Sequence, residues 1–284
     1  MDRGLAILRQ ILPLNEATDA SACGGKAVQL GAALRAGLPV PPGLVITASM
    51  TARIATGDRK PISALKDAYQ ASFDGPIAVR SSATDEDSAD ASFAGQHQTL
   101  LNVRTFEMTH DAVIAVWQSA QSEAALAYRR QLGVTGDPAC AVVLQTLVEP
   151  DCAGVLFTID PMSGEDLRVV EAAWGFGEAV VSGLVTPDHV RMDRTGTVVS
   201  SQTGAKEYAL RLAAAGGLEE REIETALVGQ LCLDAVQLQR LNDLAATAET
   251  VYGPTFGAGL DIEWAFGGDT LYLLQARPIT TGPA

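Results

Sequence analysis

Four polar side chains near the C-terminus have the residue types of a metal–phosphate site: Asp261, Glu263, Gln275 and Arg277. They lie in two apolar segments that alternate like half-buried β-strands, and residues 267–269 (Gly-Gly-Asp) predict a turn between them. An antiparallel register centred on that turn places Glu263 opposite Gln275 and Asp261 opposite Arg277. Oxygen atoms are the ligands of Mg²⁺, and a guanidinium neutralises a phosphoryl group in transit. The alternative is an exposed hairpin face with a salt bridge.

Two groups in the first half of the chain could bind an anion. Residues 21–26 (Ser-Ala-Cys-Gly-Gly-Lys) open a helix that we predict to run to about Ala36, and the pair Gly24-Gly25 lets backbone amides approach an anion beside Lys26. The alternative is a plain helix start whose lysine extends its charge to solvent. Arg80 follows a predicted strand at 77–79 and opens a long loop of hydroxyl and small residues.

Gln145 is the one amide in an apolar stretch, 141–148, that predicts a buried strand. A buried amide needs a hydrogen-bond partner. The partner could be a neighbouring backbone group or the edge of an adenine ring, and both interpretations stay open at this point.

The periodicity of apolar residues predicts the elements that must position these groups. The second face of the C-terminal hairpin would pack on the core with Ile262, Trp264, Phe266, Tyr272 and Leu274. We predict further strands at about 44–47, 100–103, 153–159 and 167–172, a helix at about 109–132, a hairpin at 188–201, and one or two helices within 219–251.

The composition excludes several classes of function. The 34 acidic residues outnumber the 20 basic ones and give a net charge of −14, which argues against a nucleic-acid or anionic-membrane surface as partner. The four cysteines are far apart in sequence, and no signal segment or membrane-spanning run occurs, so we expect a cytoplasmic protein with reduced thiols. Motifs of Walker-type nucleotide loops, serine hydrolases and zinc proteases do not occur.

A series of short motifs extends over nearly the whole chain in one order. It includes 24–31 (GGKAVQLG), 78–87 (AVRSSATDED), 91–96 (ASFAGQ), 154–161 (GVLFTIDP), 175–178 (GFGE), 261–264 (DIEW) and 274–280 (LQARPIT). Each motif is weak, but the ordered set is specific. The chain resembles the N-terminal nucleotide-binding domain of pyruvate phosphate dikinase and phosphoenolpyruvate synthase, and most of all the ATP-binding domain of rifampin phosphotransferase.

The resemblance implies an α+β fold of the ATP-grasp type over residues 1–284, with ATP and Mg²⁺ as ligands. One lobe would span about 1–140, the other about 141–284, and the nucleotide would lie in the cleft between them. The catalytic residues that contact the triphosphate would be Lys26, Arg80 and Arg277. Gln145 matches the position that reads adenine. Gly95, Thr99 and Leu100 would fall where the family's mobile loop covers the nucleotide. Glu263 and Gln275 would bind Mg²⁺, with Asp261 as a second ligand or as the orienter of Arg277.

The resemblance also implies an ATP-dependent phosphotransferase of the dikinase type. ATP would be cleaved to AMP and phosphate, and a phosphoryl group would pass to a histidine on a separate domain or subunit. No histidine here has the sequence context of that carrier, so we expect a phosphohistidine-domain partner and leave the final acceptor open. The alternatives are a stand-alone ATP-grasp kinase of a small molecule and a non-catalytic nucleotide-sensing module. The segment 48–77 is shorter than in the family, which leaves the helical cover of the first lobe open.

Overall fold

The computed structural model describes residues 10–83, 98–131, 139–256 and 259–279, without the side chains of Tyr128 and Gln131. The chain divides into two compact units. The first unit consists of Met1–Arg35, Pro41–Leu147 and Ala215–Gly217, and the second of Ala36–Val40, Val148–Ala214 and Leu218–Ala284. Both units combine helices with antiparallel sheets, so the predicted α+β class is confirmed.

The first unit is built on a five-stranded antiparallel sheet with the strand order β1-β2-β5-β3-β4. Its elements in chain order are β1 (Ile11–Pro13), a 3-10 turn (Leu14–Glu16), α1 (Ala20–Cys23), α2 (Gly25–Arg35), β2 (Gly43–Ile46), α3 (Ala48–Ala55), α4 (Arg59–Ser72), β3 (Ile77–Ala83), β4 (Thr99–Val103), α5 (Phe106–Ala120), α6 (Glu123–Gln131) and β5 (Cys140–Thr146).

One face of this sheet forms the hydrophobic core with helices α3, α4 and α5. The strands contribute Ile77 and Val79 from β3, which pack with Val142 and Leu144 from β5, and all four are buried. Alternate residues of the same strands point to the opposite face, which therefore carries Arg80 and Ser82. The helical cover that the short segment 48–77 left open is present as α3 and α4.

Two predicted elements of this unit need correction. The helix predicted at 109–132 is two helices, because the Oγ atom of Ser122 accepts a hydrogen bond from the backbone amide of Ala125 (3.2 Å) and caps a new helix there. The strand predicted at 77–79 continues to Ala83, because the polar side chains of Arg80 and Ser82 find buried hydrogen-bond partners within the unit.

The second unit contains a six-stranded antiparallel sheet with the order β13-β12-β6-β7-β8-β9 and a separate two-stranded sheet, β10-β11. Its elements in chain order are β6 (Cys152–Phe157), β7 (Arg168–Trp174), α7 (Glu178–Val181), β8 (Asp188–Met192), β9 (Val198–Gln202), β10 (Tyr208–Leu212), β11 (Leu218–Glu222), α8 (Thr225–Val228), α9 (Ala235–Phe256), β12 (Leu260–Gly267) and β13 (Thr270–Pro278).

Helix α9 covers one face of the six-stranded sheet at strands β12 and β13. The guanidinium of Arg240 lies 5.2 Å from the centre of the Phe266 ring, and Trp264 and Phe266 are fully buried. The opposite face of β12 therefore carries Asp261 and Glu263. In the ranges that the structure describes, no helix has the length and apolar character to cross a membrane.

The predicted hairpin at 188–201 is confirmed as the β8–β9 pair, whereas the helices predicted within 219–251 are only partly right. Residues 218–222 form β11, which pairs with β10, a strand that the sequence did not suggest. The segment Leu218–Glu222 is rich in glutamate, which favours a helix locally, but pairing with a neighbouring strand overrides that preference.

Candidate functional site

The predicted pairing of the four polar residues of the C-terminal hairpin is confirmed. Asp261 pairs with Arg277 and Glu263 with Gln275. Nearer the turn, Trp264 pairs with Leu273, so Leu274 is an extra residue of β13 between the pairs Glu263–Gln275 and Trp264–Leu273. This β-bulge brings the two polar pairs into register.

The bulge corrects the predicted apolar face of the hairpin. The turn contains two residues, since Gly267 pairs with Thr270. Paired residues of an antiparallel sheet share a face, so the buried partners of Phe266 and Trp264 are Leu271 and Leu273. Tyr272 and Leu274, which we predicted for that face, are only half-buried.

A polar row crosses the other face of the same sheet. The cross-strand pairs run in the order Gln275, Glu263, Val155, Glu171 and His189. His189 Nδ1 lies 3.7 Å from Glu171 Oε1. We did not predict Glu171 as part of this surface. In the sequence, Glu171 is a single carboxylate within the predicted strand 167–172. Only the pairing of β7 with β6 and of β6 with β12 shows that it shares a face with Glu263.

Asp261 is the most deeply placed carboxylate of this group, at 7% exposure. Its Oδ2 atom accepts a hydrogen bond from Arg277 Nε at 2.8 Å. Its Oδ1 atom is buried and has no hydrogen-bond partner among the described residues. Burial raises the pKa of Asp261, and the charges of Glu263 and Glu171 add to this effect, while Arg277 opposes it.

The side-chain oxygen atoms of Asp261, Glu263 and Gln275 suit a magnesium ion that is also bound by a phosphate group of the ligand. The described residues contain no group of three or more His, Cys, Asp or Glu side chains placed to hold a metal alone. Mg²⁺ does not require such a cage, because it is commonly held by one or two carboxylates together with substrate phosphates. The buried Oδ1 atom of Asp261 has no hydrogen-bond donor among the described residues and suits a cation. Glu263 and Gln275 form the next cross-strand pair on the same face of the hairpin.

In the first unit, Arg80 and Gln145 come together on the sheet face opposite the core. Arg80 is 7% exposed, and its Nη1 lies 3.4 Å from Gln145 Oε1. Gln145 Nε2 donates to the backbone oxygen of Pro41 at 2.9 Å. The backbone partner that we considered for this amide is therefore present, while the contact with an adenine ring stays a prediction.

Two of the three residues that the resemblance places where a mobile loop covers the nucleotide, Thr99 and Leu100, lie in β4. Thr99 begins β4 directly opposite Arg80, on the face of that arginine. Leu100 pairs with Val79, and its side chain packs against the hydrophobic core. The strand predicted at about 100–103 is thereby confirmed, and contact of these two residues with the nucleotide stays a prediction. Gly95 lies outside the described residues.

Lys26 is the second residue of α2 and is only 4% exposed. This burial excludes the alternative of a lysine that extends its charge to solvent. The single predicted helix is divided into α1 and α2 by Gly24, whose φ of 77° lies in the left-handed region. Gly37 follows α2 with a φ of 80°, as expected for a glycine beyond a helix end.

Comparison with known proteins assigns the chain to a family. The model of the family described as pyruvate phosphate dikinase, AMP/ATP-binding domain, matches residues 50–284. The chain belongs to this family. The resemblance inferred from the ordered motifs is thereby confirmed, and an adenine nucleotide is the ligand class that the family's description names.

Three relatives show how far the similarity of this dikinase-family chain extends. The chain is 37% identical to "Prodigiosin synthesizing transferase PigC" of Serratia marcescens over 91% of this chain and 31% of that protein. It is 33% identical to a probable phosphoenolpyruvate synthase of Methanothermobacter thermautotrophicus, over 93% of this chain and 44% of that protein. It is 41% identical to the rifampicin phosphotransferase of Streptomyces sviceus, over 72% of this chain and 23% of that protein. The chain thus spans less than half the length of each relative.

Proposed function

We propose that this chain is the Mg·ATP-binding component of a dikinase-type phosphotransferase with an ATP-grasp fold. The observation that carries the proposal is the polar face of β12 and β13, where two cross-strand pairs combine three oxygen-bearing side chains with Arg277. The two-lobe division near residue 140 and the nucleotide cleft are parts of this proposal. They rest on the family resemblance.

The proposed roles are those that the family resemblance implies for each residue. Glu263 and Gln275 hold Mg²⁺, and Asp261 is either a further ligand or the group that orients Arg277. When bound, the ion neutralises phosphate charge. Lys26, Arg80 and Arg277 contact the triphosphate, Thr99 lies beside Arg80, and Gln145 serves the adenine end. Gly95 and the backbone of Leu100 complete the nucleotide-binding set.

The reaction that we propose transfers a pyrophosphoryl group from ATP to a histidine nitrogen of a partner domain or subunit. The bond between the α-phosphate oxygen and the β-phosphorus breaks, and AMP leaves. Water then releases the γ-phosphate as inorganic phosphate, so the histidine keeps the β-phosphoryl group. Such transfer depends on positioning and charge neutralisation, which buried cations provide, and not on a nucleophile of this chain.

Product identification tests the proposal. The full chain is incubated with Mg·ATP, with and without the phosphohistidine-bearing part of a relative such as the probable phosphoenolpyruvate synthase. We expect AMP and phosphate only when the histidine partner is present. Formation of ADP by the chain alone with a small acceptor would support a stand-alone kinase instead. Nucleotide binding without any turnover, with every candidate partner, would support a sensing module.

A further inference from the structure

One buried hydroxyl connects two helices next to Lys26. Ser82 lies on β3, two positions beyond Arg80 and on the same face of the sheet, and is 0% exposed. Its Oγ donates to the backbone oxygen of Cys23 at 2.8 Å and accepts from the backbone amide of Ala27 at 3.0 Å. Cys23 ends α1, and Ala27 is the third residue of α2.

Ser82 caps the first turn of α2, a role that a residue adjacent to the helix in sequence ordinarily has. The first amides of a helix have no partner inside the helix, and a Ser, Thr, Asp or Asn just before it commonly accepts from one of them. The residue before α2 is Gly24, which has no side chain. The cap therefore comes from strand β3, 55 positions away in sequence.

Gly24 allows this arrangement because its backbone lies against that of Ser82. A Cβ atom at Gly24 would be only 1.9 Å from the backbone oxygen of Ser82, and the φ of 77° is itself unfavourable for other residues. The close approach fixes the start of α2 to the strand that carries Arg80. Lys26 stands in that first turn, between Gly24 and Ala27.

We propose that Ser82 is a positioning residue for Lys26. Through the amide of Ala27 and the carbonyl of Cys23, it holds the first turn of α2 in a set place relative to Arg80, so that both cations meet the triphosphate. The inference rests on the proposed function, which assigns Lys26 and Arg80 to the nucleotide. It goes beyond that function because Ser82 acts without touching the nucleotide itself.

Nucleotide binding by the full chain gives the first test. The dissociation constant of Mg²⁺ with a non-hydrolysable ATP analogue is measured by calorimetry for the wild type, Ser82→Ala and Ser81→Ala. Ser81 is a matched control, because it is the same residue type, is also 0% exposed and lies on the other face of β3. We expect Ser82→Ala to bind about tenfold more weakly, the effect of one lost hydrogen-bonded cap. The control should stay within about twofold, a change of under 0.5 kcal/mol.

A double-mutant cycle separates positioning from a general loss of structure. If Ser82 acts through Lys26, Ser82→Ala should cost no further affinity in a Lys26→Ala background. An equal loss in both backgrounds, or no loss in either, would overturn the inference. Absence of nucleotide binding by the wild type would instead contradict the proposed function.

Thermal unfolding of each variant is followed in parallel. If Ser82→Ala is unfolded at the assay temperature, Ser82→Cys replaces it in the same cycle, because a thiol keeps the shape of the side chain and forms weaker hydrogen bonds. Ser82→Cys is then expected to weaken binding by a smaller factor that also disappears in the Lys26→Ala background. A loss that persists in that background would overturn the inference for this variant as well.

Discussion

Arg277 donates a hydrogen bond from Nε to Oδ2 of Asp261 at 2.8 Å, while the Oδ1 atom of the same carboxylate is buried with no hydrogen-bond partner in the described part of the chain. The carboxylate is thus oriented by one oxygen and has the other available as an acceptor. This arrangement allows one residue to hold an arginine and to face a cation, and it leads to predictions that separate the two roles.

The Glu263–Gln275 pair should tolerate an exchange of its two side chains better than either single change. Glu263→Gln removes the carboxylate from the proposed magnesium pair and should raise the Mg²⁺ concentration for half-maximal activity at least about tenfold. Because the two residues lie opposite each other, Glu263→Gln combined with Gln275→Glu restores one carboxylate and one amide, and should recover most of the loss. The measurement is a Mg²⁺ titration of ATP turnover.

The control for this exchange is Glu219→Gln, which changes an exposed carboxylate that forms a surface ion pair with Arg221. It should leave the titration unchanged. A double exchange no better than Glu263→Gln alone would show that the two positions are not equivalent around the ion.

Arg277→Ala should lower ATP turnover about 10³-fold, as is typical when a cation that stabilises a transferring phosphoryl group is removed. Arg277→Lys keeps the charge but loses the planar guanidinium, so we expect an intermediate rate. Steady-state turnover with the histidine partner gives both values, and Arg221→Ala is the control arginine. Turnover by Arg277→Ala at the wild-type rate would undermine every catalytic interpretation of the patch.

The ionisation of Asp261 should make the folded state less favourable as pH rises. Since burial raises its pKa above the ordinary value of 3.8, the folded protein keeps a proton that the unfolded chain has released between 3.8 and the raised pKa. The contribution of this group to the free energy of unfolding therefore falls as pH rises through that window and stays low above it.

Asp261→Asn removes this titration, so the variant should gain stability relative to the wild type as pH rises, until the difference becomes constant above the raised pKa. Urea unfolding of both proteins at a series of pH values, without metal or nucleotide, measures the difference. A relative stability that moves the opposite way with pH would mean that Arg277 outweighs burial at this site.

Two glycines with similar φ angles should respond differently to alanine. Gly37 has a φ of 80°, and no described atom lies within 4 Å of the place that an alanine methyl group would take, so Gly37→Ala should cost only about 1–2 kcal/mol for the left-handed backbone. Gly24→Ala adds a collision with the backbone of Ser82 and should cost at least about 2 kcal/mol more. Urea unfolding compares them, and equal losses would show that α2 can move away from β3.

The sequence by itself determined the residue types of the candidate site and much of the local structure. The alternation along Asp261–Phe266 defined a strand with a polar and an apolar face, and the types of Glu263, Gln275 and Arg277 indicated a cation and phosphate. These properties follow from residue type and short-range periodicity, which a sequence contains directly. The ordered motifs gave the family, because many weak signals in one order are specific together.

Beyond the polar pairs of the C-terminal hairpin, only the tertiary structure decided which side chains meet. The bulge in β13 moved the apolar face to Leu271 and Leu273, since register depends on turn length and on pairing with the neighbouring strand. Glu171 joined the polar row through two intervening pairings, and Ser82 reached α2 across 55 positions. Contacts of this kind depend on how strands are ordered in a sheet, which no local pattern encodes. Burial of Lys26 and Asp261 was decided in the same way, by the elements packed around them.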